Sequence, residues 1–271
     1  MAEQEVLLPD GTPFEFWDDA TQYERVYHVA CSHPDSSDEN PGTEGKPFAT
    51  INKAAAVLQA GEKVIVHEGT YRECVRPARG GEGPERMIAY EAAPGEEVVV
   101  KGSELWQPEF RASEGWRTRR AGSAPAVWMA DLPADWFAGY NPFVANNMSA
   151  EFRTFGPQWT PEQTHRFQLR RGMIVADGRP LRQVFWYRDL TQTDGAFWVE
   201  DPGLRIHLRL WDNADPNGAT FEVTAREQVF APSDYHLGYI RLSGFTFEHA
   251  ADGVPIPQRA MVSAMRGHHW I

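Results

Sequence analysis

The stretch KVIVHEGTYRECVRP (Lys63–Pro77), followed by MIAYEAAPGEEVVVKGS (Met87–Ser103), decides the fold. Val64–Val66 is a short β-branched run that breaks at Gly69, and a second run begins at Tyr71. Two more short apolar runs flank Pro94-Gly95. β-branched runs of this length favour strands. Strands broken by Gly at close spacing, with no hairpin dipeptide between them, are expected to stack as coils of a solenoid, each burying Val and Ile against the next. Upstream, Tyr27–Ala30 reads as a short strand and residues 33–48 as a turn-rich loop. Between them and Lys63, Ile51, Ala54, Ala55 and Leu58 recur at helical spacing. A capping helix is expected over about Thr50–Ala60, with Thr50 at its start and Gly61 just past its end. The first 25 residues read as a peripheral arm pinned by Phe14, Phe16 and Trp17.

From Leu105 to about Val229 the chain is rich in Trp, Phe and Pro. Leu204–Leu210 alternates apolar and polar residues, which predicts a strand of an antiparallel sheet with one face covered. Asp201-Pro202-Gly203 supplies a tight turn to the preceding run Ala196–Val199. This region reads as an inserted β-sandwich whose core includes Trp186, Trp198 and Trp211, with DNADPNG (Asp212–Gly218) as a hairpin turn. Coil-like runs return in YIRLSGFTFEHAADG (Tyr239–Gly253), with Gly244 at a bend, and in MVSAMRGHHWI (Met261–Ile271), a further coil and the start of another. The expected architecture is all-β: a right-handed parallel β-helix start with an N-terminal capping helix and an inserted β-sandwich. The expected division is 1–104, 105–230 and 231–271, the last segment breaking off in mid-strand.

The 271 residues carry a formal charge of −12, with 42% hydrophobic and 24% charged residues. An acidic surface disfavours nucleic acid and acidic polysaccharides, and a neutral sugar fits more easily. No membrane span or secretory leader is read, so a cytoplasmic location is the expectation. Cys31 and Cys74 lack metal-ligand spacing and read as buried thiols. His268 and His269 are neighbours expected on opposite faces of a strand, unable to share a metal. No cofactor and no metal is expected.

GKPFATINKAAAVLQAGEKVIVHEGTYRE (Gly45–Glu73), RMIAYEAAPGEEVVVKGSE (Arg86–Glu104), DNADPNGATFEVTARE (Asp212–Glu227), YIRLSGFTFEHAA (Tyr239–Ala251) and GHHWI (Gly267–Ile271) together resemble the N-terminal part of the β-helix β-xylosidases of glycoside hydrolase family 120. The β-helix glycosidases of family 141 are a near alternative. The resemblance implies a β-helix with an intervening sandwich and a retaining, two-carboxylate hydrolysis of xylo-oligosaccharides. In that family the nucleophile Asp and acid/base Glu lie beyond the region equivalent to GHHWI. No residue of this chain matches their motifs, so no catalytic residue is assigned and activity is expected to need residues beyond 271. Retaining glycosidases need two carboxyl groups roughly 5–5.5 Å apart, close to the spacing between adjacent coils.

Four residues at strand ends are candidates for substrate binding: His67, Glu68, Glu248 and His249. Each either contacts sugar hydroxyls at a groove rim or anchors a turn through local hydrogen bonds. Trp136 and Trp159, in Pro-rich loops, are candidates for a groove wall. An oligosaccharide is the expected partner, with self-association through an open C-terminal coil as a further expectation. The alternatives are a polysaccharide lyase on the same fold and a non-catalytic carbohydrate-binding or assembly fragment.

Overall fold

The computed structural model describes residues 7–13, 18–113, 126–137, 139–145, 169–252 and 260–271. Its described residues are mostly strand with one α-helix, an all-β architecture. The Gly-broken apolar runs become strands that pair in parallel. β1 (Arg25–Val29), β2 (Glu62–Val66), β4 (Ile88–Ala92) and β15 (Ile240–Ser243) form one parallel sheet in that order. β3 (Gly69–Tyr71), β5 (Val98–Lys101) and β16 (Phe245–Glu248) form a second. The chain visits these sheets alternately: β2 then β3, β4 then β5, β15 then β16.

The registers keep like positions together. Val64 lies between Tyr27 and Tyr90, Tyr90 lies beside Leu242, and Val100 lies between Tyr71 and Phe247. Strand side chains alternate faces, so a constant register sets one inward residue on the next and builds a continuous column. Val29, Val64, Val66, Ile88, Tyr90, Val98 and Val100 share one core with Phe230 and Ile240. Val75, Phe230 and Val262 add single parallel bridges on a third side. Gly244, at φ +84°, forms the one-residue bend between β15 and β16, and a Cβ there would stand 2.9 Å from that of Ala92.

Helix α1 (Ile51–Val57) lays Ile51, Ala54 and Ala55 on this core. The Thr50 hydroxyl accepts from Lys53 N at 3.1 Å, and the Glu73 carboxylate accepts from Ile51 N and Asn52 N at 2.9 Å each. Three N–H groups that a first turn leaves unpaired are thereby satisfied. The helix is shorter than the spacing predicts, because Leu58 leaves the helical region at ψ 137°. Gly61 instead leads the chain into β2, donating to Met87 O at 3.0 Å. Ahead of β1, the arm is pinned by polar contacts: Tyr23 donates to Asp19, Asp19 pairs with Arg241 at 3.3 Å, and Met87 N donates to the Thr21 hydroxyl at 2.8 Å. Phe14, Phe16 and Trp17 lie outside the described residues.

From Ser103 the pairing becomes antiparallel. β6 (Ser103–Trp106), β9 (Ile174–Ala176), β10 (Arg179–Pro180) and β14 (Phe221–Thr224) make a sheet of order β10-β9-β14-β6. β7 (Arg111–Ala112), β8 (Trp128–Asp131), β11 (Arg182–Gln183), β12 (Ala196–Glu200) and β13 (Arg205–Arg209) make another, of order β11-β12-β13-β8-β7, with β11 alone parallel to its neighbour. Between them lies a second core, rich in aromatic rings: Trp106, Phe110, Phe137, Phe143, Phe197 and Phe221. The turn at Asp201-Pro202-Gly203 joins β12 and β13 as expected.

Several sequence expectations are corrected. The Leu204–Leu210 strand is covered on both faces in its middle: Ile206, His207 and Leu208 are all buried, because Val184, Tyr187, Leu190 and Ala196 form a small cluster beside the main aromatic core. Trp186 is 54% exposed rather than core, whereas Trp198 and Trp211 are partly buried. Trp136 packs against the aromatic core instead of standing free, and Trp159 lies outside the described residues. DNADPNG is not a hairpin turn, since it carries the chain from β13 to β14, which belong to different sheets. Cys31 is exposed and Cys74 half-buried; Cys31 lies two residues beyond the end of β1, in a turn. His268 and His269 do meet, Nδ1 to Nδ1 at 2.8 Å, because His269 takes a positive φ of 54° that an extended strand lacks. Within the final segment Val262 makes a single bridge, and Ile271 alone lies along β15 through Leu242 N and Ile240 O.

Candidate functional site

The outward faces of β3, β5 and β16 form the floor of the site. Thr70, Val99 and Thr246 occupy one register row and point away from the core, since Tyr71, Val98 and Val100 point into it. Above this row lies an open pocket of about 310 Å³ lined by Glu68, Gly69, Thr70, Glu97, Val99, Lys101 and Glu248. Three carboxylates therefore face one ammonium across a surface that also offers a threonine hydroxyl. Lys101 and Glu248 are register partners, and their side chains pair at 3.1 Å. Carboxylates accept hydrogen bonds from hydroxyl groups and Lys donates them, so the lining suits a neutral polyhydroxylated ligand.

Behind Lys101 the parallel sheet meets the antiparallel one. Glu222 of β14 accepts from Arg72 at 2.9 Å, from the Ser103 hydroxyl at 2.8 Å and from Lys101 at 3.1 Å. Burial opposes ionisation of Glu222, but the hydrogen bonds from Arg72, Ser103 and Lys101 outweigh it and hold its pKa at about 2. Lys101 is thus shared between the half-buried carboxylate of Glu222 and the pocket carboxylate of Glu248, which fixes the ammonium at the pocket end.

The structure brings two of the four sequence-derived candidates into one pocket and leaves two outside its lining. Glu68 and Glu248 line it from opposite ends of the register. His67 instead faces His28, Nε2 to Nδ1 at 3.0 Å, and Glu96, Nδ1 to Oε1 at 3.3 Å. Burial, then the neighbouring His67, lower the pKa of His28. His249 sits in the junction, its Nδ1 3.0 Å from the Ser103 hydroxyl and 3.4 Å from Glu222. Lys101, Glu97 and Thr70 were missed. The signal that finds Thr70 and Lys101 is the register itself, which sets Thr70 opposite Val99 and Lys101 opposite Glu248. Arg72 and Glu73 point to different partners, Glu222 and the α1 N-terminus. Among the described residues no cluster of three or more His, Cys, Asp or Glu is suited to a metal ion, and no helix is long and apolar enough to cross a membrane.

A family model described as a protein of unknown function, DUF1565, matches residues 35–77. The uncharacterized protein YwoF of Bacillus subtilis (strain 168) is 34% identical over 77 residues, 28% of this chain and 16% of YwoF. The structure of XylC in complex with xylose superposes with a TM-score of 0.68 at 30% identity, covering 86% of this chain and 36% of XylC. A structure titled glycoside hydrolase matches at 14% identity and a TM-score of 0.48, over 83% of this chain and 50% of that one. The chain spans about a third of XylC and about a sixth of YwoF.

Proposed function

We propose that this chain is the N-terminal part of a carbohydrate-active glycoside hydrolase, and that the pocket over β3, β5 and β16 takes hydroxyl groups of a neutral oligosaccharide. The observation that carries the reading is the likeness to xylose-bound XylC over most of the chain. In this reading the two alternating parallel sheets are the opening coils of a right-handed β-helix, and residues 105–230 are a β-sandwich inserted into it. Residues 1–104 and 231–271 belong to the solenoid. Glu68 and Glu248 contact substrate directly, whereas His67 and His249 act at the rim by holding Glu96 and Ser103. The proposed substrate is a xylo-oligosaccharide, cleaved with retention by a carboxylate pair that lies in the portion of a XylC-like protein this chain does not span.

Titration of the 271-residue chain with xylobiose, followed by chemical-shift perturbation, tests the binding claim. Perturbations confined to β3, β5 and β16 and abolished by Glu248→Ala are expected. Perturbations elsewhere, or none at millimolar xylobiose, overturn it. Turnover of an aryl β-xyloside by this chain alone would overturn the placement of the carboxylate pair.

A further inference from the structure

Far along the chain from the pocket, in the sheet that carries β7, β8, β12 and β13, a serine, a histidine and a glutamate stand in line. His207 is fully buried. Its Nδ1 lies 2.8 Å from the Ser113 hydroxyl, and its Nε2 lies 2.7 Å from Glu200 Oε2. A second hydroxyl, that of Tyr187, sits 2.9 Å from Ser113 Oγ. The rings of Tyr187 and Trp198 enclose the imidazole at centroid distances of 5.4 and 5.3 Å.

We propose that Ser113, His207 and Glu200 form an acyl-transfer relay that hydrolyses short-chain acyl esters, with the Tyr187 hydroxyl as donor to the oxyanion. The tautomer follows from the partners. A carboxylate only accepts, so Nε2 carries the proton and points it at Glu200, which leaves the Nδ1 lone pair facing the serine hydroxyl. That is the arrangement of nucleophile, base and orienting acid that acyl transfer needs, with the two ring nitrogens exchanged. Burial holds the imidazole pKa below its ordinary value despite the hydrogen bond to Glu200, so His207 is neutral and able to take a proton near pH 7.

The step balances. Ser113 Oγ bonds to the ester carbonyl carbon as its proton passes to His207 Nδ1, and the Tyr187 O–H turns from Ser113 to the oxyanion. Collapse breaks the bond between the carbonyl carbon and the alcohol oxygen, and His207 returns the proton to that oxygen. Water then attacks the acyl-serine, giving its proton to His207. The carboxylic acid leaves, and the proton returns to Ser113 Oγ. The rings of Tyr187 and Trp198 stand against the imidazole at 5.4 and 5.3 Å, so the acyl group taken is the smallest, acetyl, over longer chains.

A fluorophosphonate probe applied to the whole chain, with the adduct mapped by mass spectrometry, tests the relay. An adduct on Ser113 is expected. Hydrolysis of p-nitrophenyl acetate should exceed that of the octanoate, and Ser113→Ala should lower it by at least about a hundredfold. Glu200→Gln should lower the rate and move the pH profile, a readout that a purely structural contact would leave unchanged. A folded wild-type chain without an adduct at Ser113 overturns the proposal, and so does Ser113→Ala that keeps full hydrolysis. A lowered melting temperature with no acyl transfer in the wild type assigns these contacts to folding alone and overturns it as well.

Discussion

The parallel and antiparallel regions bury comparable numbers of apolar residues by different rules. In the first, a core residue rests on its counterpart one strand away: Tyr27, Val64, Tyr90 and Leu242 follow one another across four strands. In the second, rings from distant segments interlock. Phe221 stands 5.0 Å from Phe110 and 5.8 Å from Trp106, and Phe143 stands 6.2 Å from Phe137 and 6.4 Å from Phe197. A column repeats one local solution, in which residues as different as Val64 and Tyr90 take equivalent places. An aromatic cluster is solved once, and each ring fills a volume nothing else can fill.

The sharpest way to test that contrast is Phe221→Ala. Losing a fully buried ring from the cluster is expected to cost about 3–5 kcal/mol, seen as an early loss of Trp fluorescence change in urea. Unfolding that stays a single transition at an unchanged midpoint would show that the cluster does not carry its region. Next is the junction between the regions. Glu222 has a folded pKa of about 2 against an ordinary 4.5, so its contribution is complete above about pH 4.5 and is lost as pH falls towards 2. The expected loss is at most about 3 kcal/mol after solvent screening, read as the slope of urea stability over that range, and Glu222→Gln should flatten the slope while leaving the part due to Asp19, Glu96 and Asp131. An unchanged slope would mean the two regions are joined by something other than this carboxylate. Smallest is Thr50→Ala, which removes the α1 cap from the columnar core. It is expected to cost about 1 kcal/mol by thermal unfolding, with the antiparallel region unaffected.

The same contrast explains how much of the molecule was legible in its sequence. Pro94-Gly95 and Gly244 separate strands of the coil-like region as read, whereas β3 begins at Gly69 and ends at Tyr71, where a run was expected to start. Local signals sufficed there because strand contacts repeat, and the Asp201-Pro202-Gly203 turn was legible because adjacent residues alone set a tight turn. The antiparallel order was not. Pairing of β6 with β14 joins residues more than a hundred positions apart, and nothing in either segment names its partner. His207 was read as one polar position of an alternating strand, because its cover comes from Tyr187 and Leu190 on another segment. Of the seven residues lining the pocket, two were legible, as strand-end Glu68 and Glu248. Lys101 was not, because its role depends on Glu222 arriving from β14.

One detail of that pairing reaches beyond stability. Ser103 and Thr224 are opposite each other in the β6–β14 register, and Gly102 O accepts from both Ala225 N at 2.8 Å and Arg226 N at 3.0 Å. The chain leaves the parallel ladders and comes back to them at nearly the same point, through a clamp made of backbone alone. Whatever lies between the two sides of the clamp is free to grow, shrink or be exchanged over evolutionary time without shifting β16 against β5. Descendants of one ancestral ladder can therefore diverge in the excursion while inheriting the pocket floor, so long as Glu222 still reaches Lys101.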